Sequence, residues 1–501
     1  MSTAHADPLP TALHTAAAVR EMDRRSIEEH GIPGYTLMTR AGEASVAALL
    51  AHWPLATRIS VVCGGGNNAG DGYVIARLLR ASGRSVRVGT LAHPGRLAGD
   101  AAQAWRDAVA AGVSVATFEA AQLDDAHVIV DALLGTGLER AVTGDWAAAI
   151  DAVNAAHARG VAVLAVDIPS GLHADSGAVL GTAVTADLTV SFIGLKLGLF
   201  VGDGPGHSGA VVFADLGAPA AVRAAAPVAA ERYTGADRGV LLAPRPRAAH
   251  KGDHGHVLVV GGDSGYAGAA RMTGEAAARV GAGLVSVATR AAHAGAIAAA
   301  RPELMIRGIE APDELDPLLA RASVLALGPG LGQHAWGRAL FEYACGVAQP
   351  LVLDADALNL LAQTPRRRTD WVLTPHPGEA ARLLGTTTAA IQADRLGSAR
   401  ALVARYGGVA VLKGAGSVVA QADAPPALIL AGNPGMGSGG MGDVLTGTIA
   451  GLLAQGLAPA AAARLGAWLH ATAGDLAAAD GGQRGLLATD LLPHLRRLAN
   501  P

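Results

Sequence analysis

Short runs rich in valine, isoleucine and leucine occupy residues 59–63, 86–90, 128–132, 162–167 and 188–192, separated by alanine-rich stretches long enough for helices. Runs apolar at nearly every position predict strands buried on both faces, as in a parallel sheet, and the stretches between them predict crossover helices. The alternation lapses in 217–231, where alanine, proline and valine follow no strand period, and resumes at 256–261, 284–289, 324–328, 351–354, 371–374 and 409–413. Two doubly wound α/β domains are therefore expected, residues 1–225 as a Rossmann-like three-layer sandwich and residues 226–501 as a larger second domain. Ligands of such sheets sit beyond the C-terminal ends of the strands. No short-period repeat points to a solenoid.

Composition excludes several partners. With 51% apolar and 16% charged residues the chain can fill two cores, and an aromatic share of 3% makes those cores alanine, valine and leucine. A net charge of −3 supplies no basic field for nucleic acid or an anionic membrane, and the one tight basic run, Arg366 to Arg368, reads as a solvated face. Two cysteines, Cys63 and Cys345, make no metal cage and fit a reducing cytoplasm. The first residues carry no leader-like pattern, and the most apolar long stretch, 446–463, is interrupted by Gln455, Gly456 and Pro459, so a soluble protein without a membrane span is expected. Arginine is abundant, yet Lys196, Lys251 and Lys413 are the only three lysines, which suggests places where a compact ammonium is needed.

The polar motifs fall at strand ends. Cys63-Gly64-Gly65-Gly66-Asn67-Asn68-Ala69-Gly70-Asp71-Gly72 follows the first strand and leads to a helix expected from about Tyr73. Such a turn offers backbone N–H groups to an anion, and its two asparagines and aspartate add directed hydrogen bonds that a plain turn does not require. Asp131-Ala132-Leu133-Leu134-Gly135-Thr136-Gly137-Leu138 and Asp167-Ile168-Pro169-Ser170-Gly171-Leu172 end two further strands. In a doubly wound sheet the three loops converge, bringing Asn68, Asp131 and Ser170 together as oxygen ligands suited to a hard cation. Helix capping is the alternative role for Asp131 and Ser170, and orienting the Pro169-Ser170 turn is the alternative for Asp167.

Together with Asp23-Arg24-Arg25 and Leu37-Met38-Thr39-Arg40-Ala41-Gly42, these segments resemble the NAD(P)H-hydrate epimerase family. The resemblance implies that Asn68, Asp131 and Ser170 hold potassium. It also implies that Asn67, Asn68, Ala69, Gly70, Asp71, Gly135, Thr136, Gly137, Leu138, Glu139, Arg140, Ala141 and Asp167 contact the hydrated nucleotide. Epimerising C6 requires the C6–O bond or the ring to open and reclose, and Asp167 is the candidate proton shuttle. Gly65 and Ala69 depart from the family pattern of proline and glycine, and the Ala69 methyl is expected to crowd a close phosphate approach.

In the second half, Gly432-Asn433-Pro434-Gly435-Met436-Gly437-Ser438-Gly439-Gly440-Met441-Gly442-Asp443 precedes a helical run. Glycines ahead of a helix N-terminus make an anion hole for a phosphoryl group, with Asp443 placed to accept a hydroxyl proton; an ordinary N-cap is the alternative for this aspartate. The arrangement resembles the ribokinase-like superfamily. Within it His250-Lys251-Gly252-Asp253, Gly328-Pro329-Gly330-Leu331-Gly332, Thr374-Pro375-His376-Pro377-Gly378-Glu379 and Lys413-Gly414-Ala415-Gly416-Ser417 are similar to the ADP-dependent NAD(P)H-hydrate dehydratases. That resemblance implies that Lys413, Gly414, Ala415, Gly416, Ser417 and Gly442 contact ADP, and that Ala269, Gly330, His376 and Asp443 contact the hydrate. His376 has the alternative of bracing its loop. Asp443 is the implied catalytic base, magnesium the implied partner of the ADP phosphates, and Glu379 and Asp354 candidate partners of magnesium or of a water. The resemblance further implies dehydration of the S epimer to NAD(P)H, AMP and phosphate, in a homo-oligomer. The rival reading is a ribokinase-like metabolite kinase with a non-catalytic nucleotide-binding N-terminal domain.

Overall fold

Side chains alternate across a strand, so a run that is apolar throughout needs cover on both faces. The computed structural model, which describes residues 9–500, supplies that cover in two compact units, Met1–Ala230 and Glu231–Pro501. In the first unit the strands β1 (Arg58–Cys63), β2 (Ser85–Thr90), β3 (Ser114–Thr117), β4 (Val128–Ala132), β5 (Ala162–Val166), β6 (Leu188–Phe192) and β7 (Ala210–Ala214) form a seven-stranded sheet. Their order is β3-β2-β1-β4-β5-β6-β7 and every pairing is parallel.

Ile59, Val61, Val128 and Val130 pack on one face with α1 (Ala16–Glu28), α2 (Gly34–His52), α3 (Asn67–Ala81) and α4 (Gly99–Ala110). Val62, Ile129 and Val163 pack on the other with α5 (Gly144–Ala158). The expected Rossmann-like sandwich is what forms.

The first helix after β1 begins earlier than its sequence suggests. Helix α3 starts at Asn67, not near Tyr73. Asparagine, glycine and aspartate are poor helix formers, which hid its first turns. Packing overrides that propensity: a Cβ on Gly70 would lie 2.6 Å from Met38 Sδ and 3.0 Å from Ala101 Cα, so glycine permits the close approach of α2 and α4. The first eight residues, where no leader was expected, lie outside the described residues.

In the second unit β8 (His256–Val260), β9 (Leu284–Thr289), β10 (Met305–Gly308), β11 (Val324–Leu327), β12 (Leu351–Leu353), β13 (Trp371–Leu373) and β14 (Val409–Leu412) are parallel, in the order β10-β9-β8-β11-β12-β13-β14. β15 (Ser417–Ala420) and β16 (Ala427–Ile429) extend the β14 edge antiparallel. Helices α6 (Ala267–Arg279), α8 (Met441–Ala454) and α9 (Pro459–Gly481) share the core cluster on one face, and α7 (Pro377–Leu384) follows β13. The apolar stretch at 446–463 is thus split between α8 and α9, and among the described residues no helix is long and apolar enough to cross a membrane. Both cysteines are buried free thiols.

Helices α6 and α8 meet at small residues. A Cβ on Gly447 would stand 2.0 Å from the Thr273 carbonyl oxygen. Gly447→Ala should gain up to about 1 kcal/mol of helix propensity but lose about 1–3 kcal/mol to overpacking against an immovable carbonyl. A net fall in the urea midpoint of the second unit is the expected result.

Candidate active sites

Strand order reverses between β1 and β4, so the segments leaving them diverge and open a crevice at the C-terminal edge of the first sheet. A cavity of about 700 Å³ lies there, lined by Asn67, Asn68 and Asp71 of α3, by Gly135, Thr136, Gly137, Leu138, Glu139 and Arg140 after β4, and by Asp167 after β5. Of the other residues expected to reach the nucleotide, Ala69, Gly70 and Ala141 do not line it. Ala69 is fully buried in the core. Ala141 is exposed.

Asn68, Asp131 and Ser170 are brought together around Leu134. The Ser170 hydroxyl donates to Asp131 Oδ1 at 2.6 Å, the Ser170 N–H donates to Asp131 Oδ2 at 2.8 Å, and the Leu134 N–H donates to Ser170 Oγ at 2.8 Å. Neither Asp131 nor Ser170 caps a helix. Asn68 donates its amide N–H to the Leu134 carbonyl at 3.0 Å, leaving its Oδ1 buried without a hydrogen-bond partner. Burial pushes the Asp131 carboxyl up to about 6, with the Ser170 and Leu133 donors pulling the other way. A buried, unpartnered amide oxygen joined through Leu134 to a serine hydroxyl and a desolvated carboxylate is a set of oxygen donors that a potassium ion fits.

Asp167 adopts φ +68°, a left-handed conformation that aspartate tolerates better than most residues. Its Oδ1 accepts from the Phe192 N–H at 3.1 Å and pairs with the Lys196 ammonium. Lys196 is 1% exposed and also donates to the Phe192 carbonyl at 2.8 Å and to Ser191 Oγ at 3.3 Å. The Asp167 side chain therefore holds a buried cation rather than the Pro169-Ser170 turn.

In the second unit the chemistry gathers beyond β12, β13 and β14. Lys413 Nζ lies 2.7 Å from Asp354 Oδ1 and 3.8 Å from Glu379 Oε2, and Thr446 donates to Asp354 Oδ2 at 2.9 Å. Burial raises the Asp354 carboxyl, but the charge and hydrogen bond of Lys413, with help from Thr446 and Thr374, outweigh it and hold Asp354 below the usual range. Both Asp354 oxygens thus accept from protein donors. Glu379 Oε2 accepts from the His376 N–H at 2.8 Å. Among the described residues no group of three or more His, Cys, Asp or Glu side chains stands together as a metal cage.

His376 is the N-cap of α7, its Nδ1 accepting from Gly378 N at 3.0 Å and Glu379 N at 3.3 Å. Bracing the loop is therefore one of its roles, and an Nδ1 acceptor leaves the proton on Nε2. Ala269 and Gly330 are neighbours, a Gly330 Cβ falling 3.3 Å from that of Ala269.

Helix α8 begins after Gly440 at φ +92° with no side chain capping it, so its first N–H groups are open to an anion. Gly442 packs where a Cβ would sit 3.2 Å from Lys413 Nζ and 3.3 Å from Asp354 Oδ2. Asp443 does not cap α8 but lies in its first turn, its carboxyl pushed up to about 7 by burial and then by the charge of Asp354, against the pull of Lys413. Glu379 is likewise raised to about 7, chiefly by burial. Gly414 and Ala415 are exposed, and Ser417 donates to the Gly414 carbonyl at 3.0 Å.

Two family models match the chain: one described as NAD(P)H-hydrate dehydratase over residues 257–497, the other as YjeF-related protein N-terminus over residues 34–198. The bifunctional NAD(P)H-hydrate repair enzyme of Coxiella burnetii is 48% identical over 493 residues, which cover 98% of this chain and all (100%) of that protein. That of Escherichia coli is 45% identical over 493 residues, 98% of this chain and 95% of its own. The chain belongs to the bifunctional NAD(P)H-hydrate repair enzymes. Among solved structures, the ADP/ATP-dependent NAD(P)H-hydrate dehydratase of Bacillus subtilis, co-crystallized with ATP and Mg2+, is 29% identical, covering 53% of this chain and 96% of that one at a TM-score of 0.48.

Several residues that shape the two sites of this repair enzyme escaped the sequence reading. Arg395 donates to the carbonyls of Leu412 and Lys413 at 3.2 and 3.3 Å and so fixes the turn that carries Lys413. Asp475 accepts from Gly432 N at 2.8 Å and Asn433 Nδ2 at 2.9 Å, anchoring the glycine-rich loop. Both stand in helices with no motif around them. The scarcity of lysine was the one signal that pointed to Lys196.

Proposed function

We propose that the first unit interconverts the R and S epimers of 6-hydroxylated NADH or NADPH, and that the second dehydrates the S epimer with ADP, giving NAD(P)H, AMP and phosphate. The observation that supports this reading is that one chain carries both sets of residues: Asn68, Asp131, Ser170, Asp167 and Lys196 in the first unit, Asp443 at an open helix N-terminus and Lys413 in the second. A metabolite kinase would leave the first set without a purpose.

Hydroxide is a poor leaving group, whereas phosphate leaves readily. Asp443 takes the proton of the C6 hydroxyl as its oxygen attacks the β-phosphate of ADP, and the N–H groups opening α8 hold the phosphoryl oxygens in transit. Phosphate then departs from C6 as C5 loses a proton, and the ring double bond forms. Lys413, seated against Asp354, contributes fixed positive charge beside the phosphates. Gly414, Ala415, Gly416, Ser417 and Gly442 would frame the nucleotide, with Ala269, Gly330 and His376 against the hydrate. Magnesium would neutralise the ADP phosphates and arrive bound to them.

In the first unit Asn68 Oδ1, the Asp131 carboxylate and Ser170 Oγ would hold potassium, which supplies a fixed charge that orders the loops around the substrate. Asn67, Asp71 and the segment from Gly135 to Arg140 would line the nucleotide, with Asp167 moving the proton at C6. We place the enzyme in the cytoplasm as a homo-oligomer. The test is recovery of reduced nicotinamide absorbance from a mixture of both hydrate epimers. Complete recovery, with AMP and phosphate formed in equal amounts and none without nucleotide, is expected; recovery stopping at one epimer's share would remove the epimerase half of the reading.

A further inference from the structure

Asp167 does not face the substrate cavity alone. Asp71 of α3, Asp23 of α1 and Asp100 of α4 line the same space, while Lys196 is the buried ammonium among them and is committed to Asp167. Arg20, Glu139 and Arg140 complete the charged wall. Asp71 follows Asn68 by three positions on α3, which puts both on one helix face, toward the crevice. Carboxyls sharing one cavity disfavour one another's charge. Burial, then the charges of Asp167 and Asp23, hold Asp71 well above the ordinary carboxyl range, with Lys196 pulling weakly the other way.

Epimerisation by ring opening needs two proton transfers. As the C6 hydroxyl loses its proton and C6=O forms, the C6–N1 electron pair moves onto N1, which must gain a proton. Rotation about C5–C6 then presents the other face; N1 loses its proton as it attacks, and the C6 oxygen regains one. No oxidant or further reactant enters, and both groups return to their starting states.

We propose that Asp71 is the acid of the epimerase, giving a proton to N1 as Asp167 takes one from the C6 oxygen, with Lys196 as the positioning residue that holds the Asp167 carboxylate in place. This rests on reading the first unit as the epimerase. Asp71 touches the reacting atoms in this scheme; Lys196 acts through Asp167.

The experiment follows interconversion of NADH hydrate epimers by chromatography on the full-length protein without nucleotide, across pH, for wild type, Asp71→Asn, Asp71→Glu, Asp23→Asn and Lys196→Met. A base and an acid in the free enzyme give kcat/KM a bell-shaped profile. Asp71→Asn should lower kcat about 10²–10³-fold with little change in KM and erase the high-pH limb, while Asp71→Glu keeps both limbs. Lys196→Met should lower kcat with little change in KM, because Asp167 loses the ammonium that holds it in place. An Asp71→Asn enzyme that keeps its rate and both limbs overturns the proposal, as does loss of the high-pH limb in Asp23→Asn instead. A melting temperature of Asp71→Asn close to that of wild type separates lost chemistry from lost folding. Absence of interconversion in the wild type would instead overturn the epimerase reading on which the proposal stands.

Discussion

Asp443→Asn is expected to lower dehydration about 10²–10⁴-fold while epimer interconversion continues at the wild-type rate. Asparagine preserves the volume and the first-turn position of Asp443 but cannot take the hydroxyl proton. The phosphoryl group is then asked to leave ADP for a neutral alcohol. The open N–H groups of α8 and the Asp354–Lys413 pair stay in place, so nucleotide affinity should hold while kcat falls. In the wild type Asp443 acts as a base only when ionised. With its carboxyl raised to about 7, kcat/KM for dehydration should fall as pH drops through that value. Glu379 is raised to about 7 in the same cluster, so Glu379→Gln is the control. A profile that keeps its acid limb in Glu379→Gln assigns the limb to Asp443.

Such predictions are possible because the strand ends were legible. Runs such as 59–63 and 409–413 are apolar on both faces because they lie inside parallel sheets, and the motifs that follow them had to sit at the ligand-binding edge. The edge strands were missed for the complementary reason. Ser114–Thr117 is mostly exposed, Met305–Gly308 and Ala210–Ala214 are covered only in part, and partial cover leaves no continuous apolar run to read. The oxygen triad was visible as three loops that topology must bring together, whereas the partners holding those loops were not. Arg395 and Asp475 come from helices whose local sequence says nothing about the loop opposite. Asp354 shows the other limit: its position at a strand end was readable, but its commitment to Lys413 and Thr446 is a matter of distances. The same is true of Asp167, whose turn gave no hint that a buried ammonium lies against it.

Asp167→Asn should therefore have two separable consequences. Epimerisation should fall at least about 10²-fold, so that with ADP present one epimer is dehydrated rapidly and the other only at its slow spontaneous rate of interconversion. The backbone is not the cause, because asparagine tolerates the left-handed conformation at this position as well as aspartate does. The second consequence is a loss of stability on the order of 3 kcal/mol in the first unit, since Lys196, 1% exposed, is left as a buried charge without its counter-ion. Replacing both partners removes that uncompensated charge. The double variant Asp167→Asn, Lys196→Met should then regain most of the lost stability in urea denaturation while remaining inactive as an epimerase. If stability returns and epimerisation does not, the pair is held together for its chemistry. An Asp167→Asn enzyme with unaltered epimerase activity would move the proton shuttle elsewhere in the cavity and leave the Lys196 pair as a structural contact alone.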